Sequence, residues 1–284
     1  MALAAEHERE RMERLLRVGT CLAQCGYGAQ VGALAATARA FRADAQLWTA
    51  HANHRGRLGR TQLMQAARTG NLARIQFLLD HGADAGVATS KLGDTALMLA
   101  CSAGHCEAAR LLVECGGARV NAARISSGVT ALMLASEKGH VEIVHCLVER
   151  GGANVNAART TDGWTALMAA CRNGHLEIVH CLVERGSANV NAVLTTDGQT
   201  ALMAACGEGH LEIVCCLVER GGADVNAAQT SNGLTALMIA SMRGFLEAVR
   251  LLLQHGADKL AVSQSGRNAF SHAAAHPLVQ AALA

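Results

Sequence analysis

The 284-residue sequence predicts an all-α solenoid of helix-turn-helix units with hairpin loops, preceded by a small helical N-terminal segment. Three observations predict it. The string Gly-x-Thr-Ala-Leu-Met recurs at Gly93, Gly128, Gly163, Gly198 and Gly233, with weaker copies at Gly59 and Gly266. Its third position (Thr61, Thr95, Thr130, Thr165, Thr200, Thr235, then Asn268) repeats at intervals of 34, 35, 35, 35, 35 and 33 residues. Apolar types make up 51% of the chain but aromatics only 2%, with a single proline. That supplies a core, yet suits short close-packed helices better than a mixed-sheet enzyme. A fixed period of this length means units that bury their apolar faces only against one another.

Residues 1–56 do not follow the repeat. Glu10/Arg14 and Glu13/Arg17 stand at helical i,i+4 spacing, with Leu15, Leu16, Val18 and Leu22 on an apolar side. Val31, Leu34, Ala38 and Phe41 form a second amphipathic stretch, followed by Leu47 and Trp48. The expected role is a helical cap over the first repeat. Six units follow over 57–263, at about 57–90, 91–125, 126–160, 161–195, 196–230 and 231–263, and a partial capping unit fills 264–284.

Within a unit, Thr130 or Thr165 stands as an N-cap before the helix formers Ala-Leu-Met. Gly139 or Gly174 stops that helix, and His-x-Glu opens the next with an acid near its positive end. Val141, Val144, Leu147 and Val148 supply the second helix's apolar stripe. The helix closes on Glu-Arg-Gly-Gly, and Asp162-Gly163, Asp197-Gly198 and Asn232-Gly233 mark hairpin turns.

These motifs, in this order and near this period, resemble the ankyrin repeat, a unit of about 33 residues with the signature Thr-Pro-Leu-His-x-Ala. The resemblance implies a non-enzymatic protein-binding scaffold or adaptor whose concave face, lined by fingers and inner helix ends, holds the partner. It also implies that His105, His140, His175 and His210 bond neighbouring loops. Thr-Ala-Leu-Met in place of Thr-Pro-Leu-His loses the proline that presets the first turn. Units of 35 residues carry one extra residue at Gly151-Gly152 and its equivalents and one before the hairpin dipeptide, so slightly longer, looser fingers are expected.

A net charge of +2 gives little counterion release for nucleic acid, and no apolar run spans a bilayer. The first residues lack a secretory signal. Eleven cysteines spread through a large chain suggest reduced thiols in a cytoplasmic or nuclear setting. Cys101, Cys171 and Cys206 share one repeat position, and Cys146, Cys181 and Cys216 another. Stacked helices lie roughly 8–10 Å apart, too far for disulfides or a shared tetrahedral metal, so these are core thiols. His175-Leu176-Glu177 matches half of a deaminase motif, but Pro277 is the only proline and the Pro-Cys-x-x-Cys partner is absent. Phosphate-loop and nucleophile-elbow strings are absent too, so no catalytic residue, metal or cofactor is expected.

Differences between near-identical copies remain. Asp94, Val129, Trp164, Gln199 and Leu234 follow the hairpin glycine. Glu137, Lys138, Arg172, Asn173, Glu208, Met242 and Arg243 precede the mid-repeat glycine. These twelve are the candidate partner-binding residues of a monomeric protein binder. Trp164 is the foremost, since tryptophan is enriched at hot spots, with Arg172 and Arg243 expected beside it. Residues 31–48 also resemble the second half of an F-box without its Leu-Pro opening. That resemblance implies ligase-adaptor docking through Leu34, Phe41, Leu47 and Trp48, with the repeats presenting substrate for ubiquitination.

Overall fold

The repeat's cap residues define its helices. The computed structural model describes residues 59–284, and among these, fourteen helices occur in pairs. The first helices are α1 (Gln62–Thr69), α3 (Ala96–Ala103), α5 (Ala131–Lys138), α7 (Ala166–Asn173), α9 (Ala201–Glu208), α11 (Ala236–Arg243) and α13 (Ala269–His272). Their partners are α2 (Leu72–Asp80), α4 (Cys106–Glu114), α6 (Val141–His145), α8 (Leu176–His180), α10 (Leu211–Glu219), α12 (Leu246–Gln254) and α14 (Pro277–Leu283). Each first helix packs on the next first helix, and the second helices form their own row behind them.

In α1, α3, α5, α7, α9 and α11 the repeated threonine is the N-cap. Its Oγ1 accepts the main-chain N–H of the methionine three residues on, at 3.2–3.4 Å. Asn268 caps α13 in the same way, accepting the Ser271 N–H at 3.0 Å. The missing proline therefore leaves the first turn intact, because the threonine satisfies an otherwise orphaned donor. Left-handed glycines end α1, α3, α5, α7, α9 and α11. At Gly174 (φ +77°) an added Cβ would lie 2.7 Å from Cε1 of His210. The close approach allows His210 Nε2 to reach the Arg172 carbonyl at 3.2 Å. His105, His175 and His276 make the same bridge, to Arg68, Glu137 and Met242 carbonyls. His105, His175 and His210 thus join consecutive units, as the resemblance implied; His140 packs against Gly104 without making that bond. Phe245 occupies this place in the sixth unit.

The second helix differs from expectation in its stripe. Ile143, Val144 and Leu147 are the fully buried set, while Val141 and Val148 are only half-buried. Short helices packed on two neighbours bury an i, i+1, i+4 wedge rather than one narrow line. The extra residue at Gly151-Gly152 widens the helix end. After α6 the chain continues as a π-type turn, Cys146–Arg150, in which the Gly151 N–H donates to the Cys146 carbonyl at 3.0 Å. Cys181–Arg185 repeats this after α8.

The second extra residue sits in the finger, as expected, without removing a bond. The Arg159 N–H donates to the Trp164 carbonyl and the Gly163 N–H to the Arg159 carbonyl, both at 2.9 Å. The shorter last finger also closes on two bonds, Ser263 to Arg267 and Gly266 to Ser263. One antiparallel bridge, such as Ala158 with Thr165, marks each of five finger bases. Fingers also bond to each other: the N–H of Thr160, Thr195, Thr230 and Gln264 each reaches a carbonyl of the preceding finger at 2.8–3.0 Å.

A further ladder runs through the recurring Val-Asn-Ala. Asn156 donates from Nδ2 to the Ser187 carbonyl at 3.2 Å and accepts the Asn189 N–H at 2.7 Å. Asn121, Asn191 and Asn226 repeat the pair of bonds, each to the next unit.

Candidate partner-binding face

The finger bases and the C-terminal ends of the first helices come together along one side of the two-layer stack. Trp164, at the base of its finger, is half-buried between two cations. The Arg159 guanidinium lies 5.5 Å from the indole centroid and that of Arg172 5.7 Å. Arg159 is held by Asp162, which accepts from its guanidinium and also takes the Trp164 N–H at 3.1 Å. The guanidinium beside Asp162 holds its carboxyl below the usual range. Arg172 has no carboxylate partner among the described residues.

Two adjoining clefts share Arg172. The first, of about 340 Å³, is lined by Glu137, Arg159, Trp164, Arg172 and Asn173. Gln199, Glu208, Leu234, Met242 and Arg243 join Arg172 around the second, of about 280 Å³. Nine of the twelve residues singled out in the sequence therefore line these clefts. Framework positions are fixed by stacking, so variable positions fall where stacking makes no demand.

Three line neither cleft. Asp94 is 5% exposed, and its carboxylate is tied to Arg124 of the next finger at 2.6 Å, so it is a structural residue. Val129 packs against the core, as Trp164 and Leu234 also do, but lines neither cleft. Lys138 is exposed, 3.5 Å from Glu137, and lines neither cleft. Arg243 lies in the second cleft; Arg159 is the second cation over Trp164. Arg159 escaped the sequence reading although its position also varies between copies: Thr89, Arg124, Arg159, Leu194 and Gln229. Gly207, which shares a variable pair with Glu208 before the mid-repeat glycine, also lines the second cleft. Leu34, Phe41, Leu47 and Trp48 lie outside the described residues.

All nine cysteines among the described residues are free. Ser136 and Ser241 stand at the buried position that Cys101, Cys171 and Cys206 occupy, which makes small size the common property. Burial pushes Cys206 up to about 12 and raises Cys101 and Cys171 as well. On the second-helix side, the Cys181 and Cys216 sulfurs lie 3.6 and 3.5 Å from His145 and His180 of the preceding units. This contact spans units, so neighbours in sequence gave no sign of it. Burial raises both thiols too. Among the described residues no group of three or more potential ligands could hold a metal, and no helix is long and apolar enough to cross a membrane.

Stacked helix pairs, bonded fingers and a variable cleft-bearing face define a repeat solenoid of the protein-interaction class. The profile described as Ankyrin repeats (3 copies) matches residues 3–124, 63–159, 132–229 and 222–282, and the chain belongs to the ankyrin-repeat family. Its first match begins inside the segment that showed no repeat signature. Among solved structures, the ankyrin repeat domain of Bcl-3, a unique member of the IkappaB protein family, is similar at 31% identity. That alignment covers 79% of this chain and 98% of that one with a TM-score of 0.68. The human ASB11 ankyrin repeat domain is 28% identical over 79% of this chain and 96% of that one, with a TM-score of 0.67. Comparison with curated proteins returns no match. Ankyrin repeats are protein-interaction modules.

Proposed function

We propose that the chain is a non-enzymatic scaffold or adaptor that holds a partner protein, as a monomer, on the finger face around Trp164 and Arg172. The observation that carries this reading is the gathering of nine variable residues into two clefts that share Arg172. A reducing, intracellular compartment suits nine free thiols. Affinity capture with the full chain, repeated with Trp164→Ala and Arg172→Ala, tests it. Loss of the same captured protein with both variants supports the face, and unchanged capture removes it.

The ubiquitin-ligase receptor is a second reading, resting on residues 31–48 alone. The cap reading draws support from the family match that begins at residue 3. Binding of the full chain to a ligase adaptor, lost on Leu47→Ala with Trp48→Ala, would favour the receptor; no binding leaves the cap.

A further inference from the structure

One residue lining the second cleft has no side chain. Gly207 sits in the last turn of α9, at the position held by Ser102, Glu137, Arg172 and Met242 in other units. It is not among the left-handed glycines, so its backbone makes no demand for glycine. Nor does space: an added Cβ would meet only Ile239 Cγ2, at 3.6 Å, an ordinary contact. Glycine inside a helix is less stable than alanine there, so neither conformation nor packing accounts for it. Its physical consequence is a gap between Arg172 and Met242, with Leu234 and the nearly buried Ile239 beside it.

The rim of that gap is cationic and unsatisfied. Neither the Arg172 nor the Arg243 guanidinium has an acceptor among the described residues, whereas Arg124 and Arg159 are paired to Asp94 and Asp162. Arg172 also lies over the Trp164 ring, 5.7 Å from its centroid, a contact that uses none of its N–H donors. Planar donors of that kind match a carboxylate in a bidentate fork. Glu208 lines the same cleft, and the two arginines outweigh it.

We infer that this cleft recognises an extended acidic peptide segment of the partner. An apolar side chain enters the gap over Gly207, and neighbouring Asp or Glu carboxylates pair with Arg172 and Arg243. This rests on the finger face being the binding face and gives its partner a chemistry. Trp164 is then a positioning residue for Arg172 as much as a contact.

The test uses the full chain and arrays of extended peptides in which Asp or Glu alternates with Leu, Ile or Met. Matched arrays carry Asn/Gln or Lys/Arg in the acidic places. The acidic array is expected to bind about five- to tenfold tighter than the neutral one, with the preference shrinking in high salt. Arg172→Gln or Arg243→Gln removes that preference without lowering the melting temperature. Gly207→Met, the residue of the next unit, weakens binding, while Gly207→Ala melts no lower than the parent. Equal or better binding of neutral or basic arrays overturns the inference. So does binding by no array, or acidic binding indifferent to both arginine variants. If the arrays fail while Trp164→Ala and Arg172→Ala still abolish partner capture, the face stands and its assigned chemistry falls. If both fail, the face itself falls.

Discussion

Replacing Asn156 by alanine removes a link between two units without touching the core. The side chain makes two inter-unit bonds, to the Ser187 carbonyl at 3.2 Å and from the Asn189 N–H at 2.7 Å. A net contribution of about 0.5–1.5 kcal/mol per hydrogen bond puts the pair between 1 and 3 kcal/mol. Both bonds are exposed, so water takes over the freed groups and no desolvation penalty remains. The lower half applies, about 1–2 kcal/mol. For a chain of this size that lowers the melting temperature by roughly 2–4 °C. Asn154→Ala removes only the local bond in which Asn154 accepts the Asn156 N–H at 3.1 Å, and should have about half the effect. Circular dichroism melts and urea titrations give the magnitude, and amide exchange at Asn189 gives the site. Faster exchange at Asn189 with an earlier or broader transition is expected, because repeat stability sums unit and nearest-neighbour terms. An unchanged melt with unchanged Asn189 protection would refute the ladder as a source of coupling.

Ser187 is the one non-glycine with positive φ among the described residues (φ 52°), where other units carry Gly117, Gly152 and Gly222. Ser187→Gly should therefore stabilise by up to about 1 kcal/mol in urea denaturation; destabilisation would mean that its side chain contributes. Cys206, normally near 9.0, is raised to about 12 on folding, so its contribution is complete below pH 9 and lost as pH climbs towards 12. The urea midpoint should fall between pH 8 and about pH 10.5, less so in Cys206→Ser, while iodoacetamide at neutral pH labels exposed Cys115 before Cys206. The long fingers keep their bonds, so the Thr195 and Thr230 amides should exchange no faster than that of Gln264 in the short last finger. Uniformly faster exchange would show that the added residue loosens them.

The repeat reads clearly because each device is local. Thr165 caps, Gly174 turns and Asp162-Gly163 closes a finger within a few residues, so every copy announces the same unit. The variable face was legible for a related reason, since nine of the twelve variable residues singled out line a cleft rather than a stacking contact fixed in every copy. What stayed hidden spans units. Asp94 looked like a finger contact until Arg124, thirty residues on, was found against it. His145 meets Cys181, not its neighbour Cys146, because a helix separates adjacent side chains and stacking joins equivalent ones.

By itself the sequence determined the period, the helix pairs, the caps and which positions are free to vary, all consequences of local backbone chemistry repeated in order. Tertiary structure alone decided that Arg159 and Arg172 lie over Trp164, that Arg172 joins two clefts, and that Gly207 lines the second. Those relations depend on how neighbouring units are offset, and the offset is set by packing and by bonds between units rather than by any one unit's residues.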